Sequence, residues 1–426
     1  MGHGKREMPR GQGRRPLPRR QGKRVLSKRR GKRELPRQRH PLGTLLVLAL
    51  TAGALAAGGF LARAAWQKSP EAPPPPETEH PAAGPEMPEM VEPQGPRPFR
   101  ISLLGDCTLS SSHYTNHFES VVGDRLDYPF AKVAEILRAD DLTLANLECS
   151  FSQRRLESSS QYAFCGRAKY AQSLALGGVE WVSMGNNHTN DFGSAGVTDT
   201  LAALDQAGVG GIGEGEGRCV ELSREDGQTL RLGIYVLPFN GSPEQMRQGT
   251  ARLREEGADL VIACMHTGAE KIYVPTKRQT ALAHAAIDGG ADVVAGTHPH
   301  VLQPAEVYGG GVILYSLGNF CFGGNRNPGD KDTVVAQLTV ERTDGAWTWE
   351  MSYIPCSVSG RTDANDYQPT PHAPGTAAYD RCLGKMEEPW DRTTVEQAAA
   401  AREAAERAAL EAAGAPGPGE LEPRAQ

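Results

Sequence analysis

Five separate stretches of this chain run apolar and then stop in Asp, Asn, Glu or His. They are Leu103-Leu104-Gly105-Asp106, Leu144-Ala145-Asn146-Leu147-Glu148, Met184-Gly185-Asn186-Asn187-His188, Cys264-Met265-His266 and Ala295-Gly296-Thr297-His298-Pro299-His300. The apolar parts carry residue types that suit a buried strand, and the polar endings do not continue one. A single ending of this kind is more often a helix cap or a turn residue. Five are a different matter, because successive strands of a parallel sheet share one carboxyl edge, where ligand crevices form. The sharpest case is the stretch from Val179 to Gly193, which turns from Val-Glu-Trp-Val-Ser-Met into Asn186, Asn187, His188, Asn190 and Asp191.

The segments between these endings fit an α/β fold. Strands are expected at 100–104, 142–147, 179–184, 230–237, 260–265, 293–295, 312–315, 334–340 and 347–354, and helices at 130–138, 194–207, 243–256 and 276–289. Helices separating strands at these lengths indicate βαβ units. The last strands lack intervening helices and suggest an antiparallel portion. The folded unit is expected over residues 99–356, with 357–426 as an irregular extension containing an Ala/Glu-rich helix at 394–412 and a Gly/Pro-rich end.

The N-terminal region is biased in the other direction. Residues 1–40 hold 16 Lys and Arg against Glu7 and Glu34, so the net charge of −5 conceals a basic arm and an acidic remainder. Within residues 41–66, the run from Leu42 to Ala62 carries no charge and is long enough to span the hydrocarbon of a bilayer. The basic arm places the N-terminus in the cytoplasm and the rest outside. The expectation is a single-pass cell-membrane anchor, with a cleaved signal peptide as the rival, followed by a Pro/Glu-rich spacer over 67–98. Anionic membrane lipid accounts for the arm more simply than nucleic acid does. The eight cysteines include no Cys-x-x-Cys pair, which argues against a zinc ribbon. Cys149 and Cys165 form the nearest plausible disulfide, while Cys264 and Cys321 sit in apolar runs as core residues.

Carboxylates, imidazoles and an amide oxygen without a required thiolate suit Mn²⁺, Fe or Zn²⁺. A carboxylate can bridge two such cations, and the cation pair activates water for attack, most naturally at phosphorus. Asp191 either orients His188 or caps the helix that follows. Asn319, in Tyr315-Ser316-Leu317-Gly318-Asn319-Phe320, reads more simply as a turn residue. Glu270 and Lys271 read as surface charges, His113 and His117 as solvent-exposed, and Glu306 as a residue near the site.

Gly105-Asp106, Asn146-Leu147-Glu148, Asn187-His188-x-x-Asp191-x-Gly193, His266-x-Gly268-x-Glu270, His298-Pro299-His300-Val301-Leu302-Gln303-Pro304 and Tyr315 to Phe320 occur in this order over residues 99–356. In that order and type the chain resembles the CapA family of bacterial capsule synthesis proteins, associated with poly-γ-glutamate synthesis and export. The resemblance implies a calcineurin-like metallophosphoesterase fold, a β-sandwich of two mixed sheets flanked by helices, here preceded by one transmembrane helix. It implies divalent metal bound by Asp106, Glu148, Asn187, His266, His298 and His300, with His188 as general acid or transition-state stabiliser. Two positions depart from the pattern. Thr108 stands where the wider class has a histidine, and Thr267 where the family commonly has Trp.

The resulting expectation is an outward-facing, membrane-anchored protein that handles an anionic envelope polymer through a metal-dependent, phosphoesterase-like hydrolytic site. The alternative is a non-catalytic scaffold subunit of a membrane polymer synthase.

Overall fold

A computed structural model describes residues 97–387 apart from 113, 159 and 225. The basic arm, the apolar segment 42–62, nearly all of the spacer, His113 and the Ala/Glu-rich stretch 394–412 lie outside the described residues. Among the described residues no helix is long and apolar enough to cross a membrane.

In chain order the elements are β1 (Phe99–Thr108), α1 (His117–Val122), α2 (Ala134–Arg138), β2 (Leu142–Leu147), β3 (Ser150–Ser152), β4 (Cys165–Arg167), α3 (Ala171–Gly177), β5 (Trp181–Ser183), α4 (Gly193–Ala207), β6 (Gly210–Ile212), β7 (Gly217–Ser223), β8 (Thr229–Val236), α5 (Pro243–Glu255), β9 (Leu260–His266), α6 (Lys277–Asp288), β10 (Val293–Thr297), β11 (Leu302–Tyr308), β12 (Gly311–Leu317), β13 (Asn319–Phe322), β14 (Asp332–Thr343), β15 (Ala346–Ser357), β16 (Thr370–Pro371) and α7 (Ala377–Glu387). One mixed sheet runs β16-β15-β14-β1-β2-β5-β6, with β13 also pairing β1, and a second runs β11-β12-β10-β9-β8-β7. The architecture is therefore mixed α/β with two principal sheets, and a β3-β4 pair beside them.

Side-chain alternation explains the layers. Ile101, Leu103, Leu142 and Leu144 join Leu260, Ile262 and Cys264 in one core between the sheets. The intervening residues Leu104, Cys107, Ala145 and Leu147 point the other way, into a second core with Phe118, Leu137, Leu174 and Leu204 of the helices. Val261, Ala263 and Met265 likewise face Met246, Leu253 and Leu282 of α5 and α6 in a third. Both faces of each central strand are thus buried, which is why these strands read as near-continuous apolar runs. α5 and α6 each start with a capping box, Ser242 with Gln245 and Thr276 with Gln279, an arrangement that satisfies two otherwise unpaired N–H groups.

Two expectations are corrected. Residues 357–390, expected to be irregular, contain β16, which pairs with β15, and α7, whose Cys382 and Met386 enter the inter-sheet core. Two buried residues four apart are too sparse an apolar stripe to register as a helix in sequence. Cys149 and Cys165 are not joined; all eight cysteines are free thiols, and Cys149 is buried.

Candidate metal centre

The parallel ladder delivers the polar endings to one place. Asp106 of β1 sits opposite Asn146 of β2 and Asn319 of β13, and His266 of β9 sits opposite Thr297 of β10. β1 and the turn before β13 can approach this closely only because residue 105 lacks a side chain: a Cβ there would lie 2.0 Å from the Gly318 carbonyl oxygen. The Asp106 N–H then donates to that same oxygen at 2.9 Å. Beyond β10 the backbone bends sharply, with φ of +101° at His298 and +57° at His300. For residues with a Cβ such conformations cost on the order of 1–3 kcal/mol each and concentrate at functional sites.

The donors meet around Glu148. His266 Nε2, His188 Nε2 and His300 Nε2 lie 3.3, 3.9 and 4.0 Å from Glu148 Oε1. That oxygen is buried and accepts no hydrogen bond. His300 Nδ1 is 3.2 Å from Asp106 Oδ2, and His298 Nδ1 is 3.0 Å from His266 Nε2. Two sets of three donors, Glu148 with His266 and His298, and Asp106 with Glu148 and His300, each fall within 4.8 Å of one another. Glu148 belongs to both. A buried carboxylate oxygen without a proton donor, ringed by imidazoles that also crowd one another, fits a position for divalent cations. No cysteine belongs to either set, so the donors are nitrogen and oxygen, as Mn²⁺, Fe or Zn²⁺ accept.

The same crowding shapes the protonation equilibria. Burial pushes the Glu148 carboxyl up, but the imidazoles of His300, His266 and His188 outweigh it and hold it down at about 2. Burial pushes His300 down, yet Glu148 and Asp106 raise it to about 10. His298 is lowered to about 4 by burial and by its neighbour His266, against the pull of the two carboxylates.

An amide shell holds the set in place. Asn146 Nδ2 donates to Asp106 Oδ1 at 2.8 Å, and Asn186 Nδ2 donates to Leu147 O at 2.8 Å. Asn187 Oδ1 lies 2.7 Å from His266 Nε2. Thr297 Oγ1 lies 2.9 Å from His266 Nδ1, and Asn319 Oδ1 lies 2.9 Å from His300 Nδ1. Groups of this sort fix ring orientation and tautomer.

His188 forms the proton-handling edge. Its Nδ1 is 2.9 Å from Asp191 Oδ2, which also accepts the Phe164 N–H at 2.9 Å. The Phe164 ring meets the imidazole edge-on with centroids 4.7 Å apart. Burial lowers the His188 pKa, but Asp191 and Glu148 outweigh it, and the net shift is upward. Phe192 occupies the cap position of α4, without a side-chain cap, so Asp191 serves the imidazole. A cleft of about 680 Å³ opens onto these groups, with Glu148, His188, His300, Asn319 and Phe164 on its wall.

The expected site residues Asp106, Glu148, Asn187, His188, Asp191, His266, His298 and His300 are all drawn into this one network. Glu306 is not: it lies against His284 Nε2 at 3.1 Å, away from the cluster. His117 is instead 2.8 Å from the Tyr367 hydroxyl. Glu270 and Lys271 are exposed, yet both line the cleft. Thr108 does not leave the Asp106 side without an imidazole, since His300 arrives from beyond β10, and its hydroxyl lies 3.4 Å from Glu148 Oε2. In sequence Asn319 reads as a turn residue, because Gly-Asn pairs end strands so often. Only the β1–β13 pairing reveals its contact with His300. Asn146, Asn186 and Thr297 carry a usable signal, each standing one or two residues before a donor at a strand end, Glu148, Asn187 and His298.

Residues 100–219 and 224–324 match the family described as bacterial capsule synthesis protein PGA_cap. Among curated relatives, the capsule biosynthesis protein CapA of Bacillus anthracis is 27% identical over 248 residues, covering 52% of this chain and 59% of that protein. The PGA biosynthesis protein CapA of Bacillus subtilis is 30% identical over 217 residues, covering 46% of this chain and 57% of that one. A probable polyglutamine synthesis accessory protein of Mycobacterium tuberculosis is 28% identical over 226 residues, covering 45% and 59%. The chain spans less than two thirds of the length of each of these relatives. With more than half of its residues matched in two consecutive blocks that include every donor of the cluster, the chain belongs to the PGA_cap family of bacterial capsule synthesis proteins.

Proposed function

We propose that this protein acts in the synthesis or export of poly-γ-glutamate or a similar anionic capsule polymer, as a metal-dependent hydrolase of metallophosphoesterase type held at the outer face of the cell membrane. The observation that carries the hydrolytic reading is Glu148: one buried carboxylate common to two donor sets, with an oxygen that no proton donor satisfies. The capsule assignment draws on the family and on relatives named for capsule and PGA biosynthesis. The membrane placement draws on the uncharged run 42–62 behind a basic arm.

Asp106, Glu148, Asn187, His266, His298 and His300 would hold the cations, with Asn187 Oδ1 set 2.7 Å from His266 Nε2. A bound pair of divalent ions supplies a water of lowered pKa and stabilises the negative charge that develops on the attacked centre. The chain's own part is to place and protonate. Thr297 and Asn319 fix the rings of His266 and His300. His188 donates its Nδ1 proton to Asp191 Oδ2, and the net upward shift of its pKa favours the imidazolium, whose second proton, on Nε2 beside Glu148, can pass to a leaving oxygen. The Phe164 ring packs edge-on against the imidazole, with centroids 4.7 Å apart, and shields that side of it from water.

The test is hydrolysis of a generic phosphodiester by the full chain purified without chelator, beside a His298→Ala/His300→Ala double variant. Turnover that the double variant loses supports the reading. Equal turnover in both, or none on phosphoester and γ-glutamyl substrates alike, refutes it. The second reading, a non-catalytic subunit of a membrane synthase, is favoured by the word accessory in the mycobacterial relative's name. It requires function in polymer production to survive the same double substitution.

A further inference from the structure

A second cleft of about 690 Å³ adjoins the metal cleft, and the two share Tyr273, Gly329 and Asp330 on their walls. Four cations, Lys331, Arg361, Arg381 and Lys385, line it against two carboxylates, Asp330 and Asp332. Those carboxylates are already engaged. Arg381 forks onto Asp332 through two bonds of 2.7 Å, and Lys385 reaches Asp330 at 2.6 Å and Asp332 at 2.8 Å. Lys331 has no ion-pair partner within bonding distance among the described residues; its ammonium donates to Asn327 Oδ1 and to the backbone oxygens of Pro328 and Thr362 at 3.2 and 3.1 Å, neutral acceptors that leave its charge unbalanced. Arg361 pairs with Asp363, but their side chains are 57% and 71% exposed, so water screens the pair and leaves the guanidinium open to a competing anion.

One further group points the same way. His372 lines this cleft, and its Nε2 is buried without a hydrogen-bond partner. Buried polar atoms are normally satisfied, so an orphan on a cleft wall marks a place for a ligand atom. Asp332, His372 and Cys382 bring donor atoms within 4.8 Å of one another, which raises a cation as the ligand. The surroundings argue against one. Both oxygens of Asp332 are taken by Arg381 and Lys385, and two positive side chains stand where the cation would enter. Burial also pushes the Cys382 thiol up to about 12, far from the thiolate a metal needs.

We infer that this cleft is a carboxylate-binding subsite, in which Lys331, Arg361 and His372 hold the pendant carboxylates of an extended acidic polymer whose reacting bond lies at the Glu148 cluster. The inference rests on the proposed function for the polymer's identity, poly-γ-glutamate, and on the charge surplus and the orphaned imidazole for the binding itself. A chain of regularly spaced carboxylates suits such a groove, because each residue presents an anion while the main chain runs on toward the cluster.

The test uses the full chain in detergent and a fluorescent poly-γ-glutamate oligomer, with binding followed by anisotropy at several salt concentrations. Lys331→Ala/Arg361→Ala is expected to weaken binding about tenfold and to flatten its salt dependence, as the loss of two charge contacts with a polyanion does. Metal content and turnover of a small phosphodiester should stay as in the parent. Because Lys331 also ties down a loop, Arg361→Glu at an exposed side chain provides a second variant, expected to weaken binding at least as much. Unchanged affinity in both variants, or no binding by the parent, overturns the inference. Variant-sensitive binding by a parent that hydrolyses nothing would uphold the subsite and refute the hydrolytic reading, so the two fail separately.

Discussion

Substituting Gly105 by alanine tests how tightly the site depends on the crossing of β1 and β13. The new methyl would sit 2.0 Å from the Gly318 carbonyl oxygen and 2.9 Å from the Leu317 carbonyl oxygen. An ordinary carbon–oxygen contact needs about 3.3 Å, so the two backbones must part by more than about 1 Å. Neither can yield cheaply. β1 is laddered to β2 on one side and β14 on the other, and Gly318 is held at φ +68°. Parting them breaks the 2.9 Å bond from Asp106 N–H to Gly318 O, a buried pair worth roughly 1–3 kcal/mol when left unsatisfied. Overpacking adds roughly 1–3 kcal/mol. The sum, about 2–6 kcal/mol, corresponds to a fall in Tm of several degrees at the very least. Calorimetric melts of the parent and Gly105→Ala read this directly. Gly384→Ala serves as the opposite-sign control: it is exposed in α7 with open space at its Cβ, so helix propensity predicts a gain of about 0.5–1 kcal/mol. A Gly105→Ala protein that melts with the parent would refute the close-approach account of how Asp106 and Asn319 are brought together.

Other consequences follow from the same contacts. Burial raises the Asp332 carboxyl, but Arg381 and Lys385 overcome it and hold the group down at about 2, below the 3.8 of a free side chain. A depressed acid contributes stability that is complete above its unfolded pKa and is lost as pH falls through the folded one. Asp332→Asn should therefore flatten the acid dependence of stability between about pH 4 and 2, and acid titrations of both proteins followed by circular dichroism would contradict this by running parallel. Asp140 works in the opposite direction, since burial lifts its carboxyl to about 6. Its contribution is present below the unfolded value and lost as pH rises through about 6, so Asp140→Asn should gain stability relative to the parent above neutrality, seen as a higher denaturant midpoint. Asp191→Asn removes the charge that steadies the His188 proton. Turnover should fall on the order of a hundredfold with metal content unchanged, as loss of a general acid does, and retained turnover would remove His188 from that role.

Much of the fold could be read before any coordinates. β2, β9, α4, α5 and α6 fall within a residue or two of the expected bounds, because their strands are apolar on both faces and two of the helices open with strong caps. The short edges escaped notice for physical reasons. β6 is Gly210-Gly211-Ile212, whose glycines carry no strand propensity, and it exists because β5 offers it a ladder. α7 buries only Cys382 and Met386, and its Arg381 and Lys385 are tied to Asp332 and Asp330 by ion pairs that no apolar pattern shows. At the site, the donors were legible because each ends a strand, and a parallel sheet brings strand ends together. Their grouping was not legible. That Glu148 is common to both donor sets, and that His300 stands beside Asp106 where Thr108 supplies no imidazole, depends on the left-handed turn at 298–300 and on β13 pairing with β1. No local pattern encodes either.

The most direct test of the account is metal stoichiometry, measured by mass spectrometry of the elements in the full chain purified without chelator, for the parent and three single variants. Because Glu148 belongs to both donor sets while His298 and His300 belong to one each, Glu148→Gln should lose both ions, and His298→Ala and His300→Ala should each lose one. A parent without bound metal, or a Glu148→Gln protein that keeps the parent's full complement, would contradict the claim that this carboxylate organises the site.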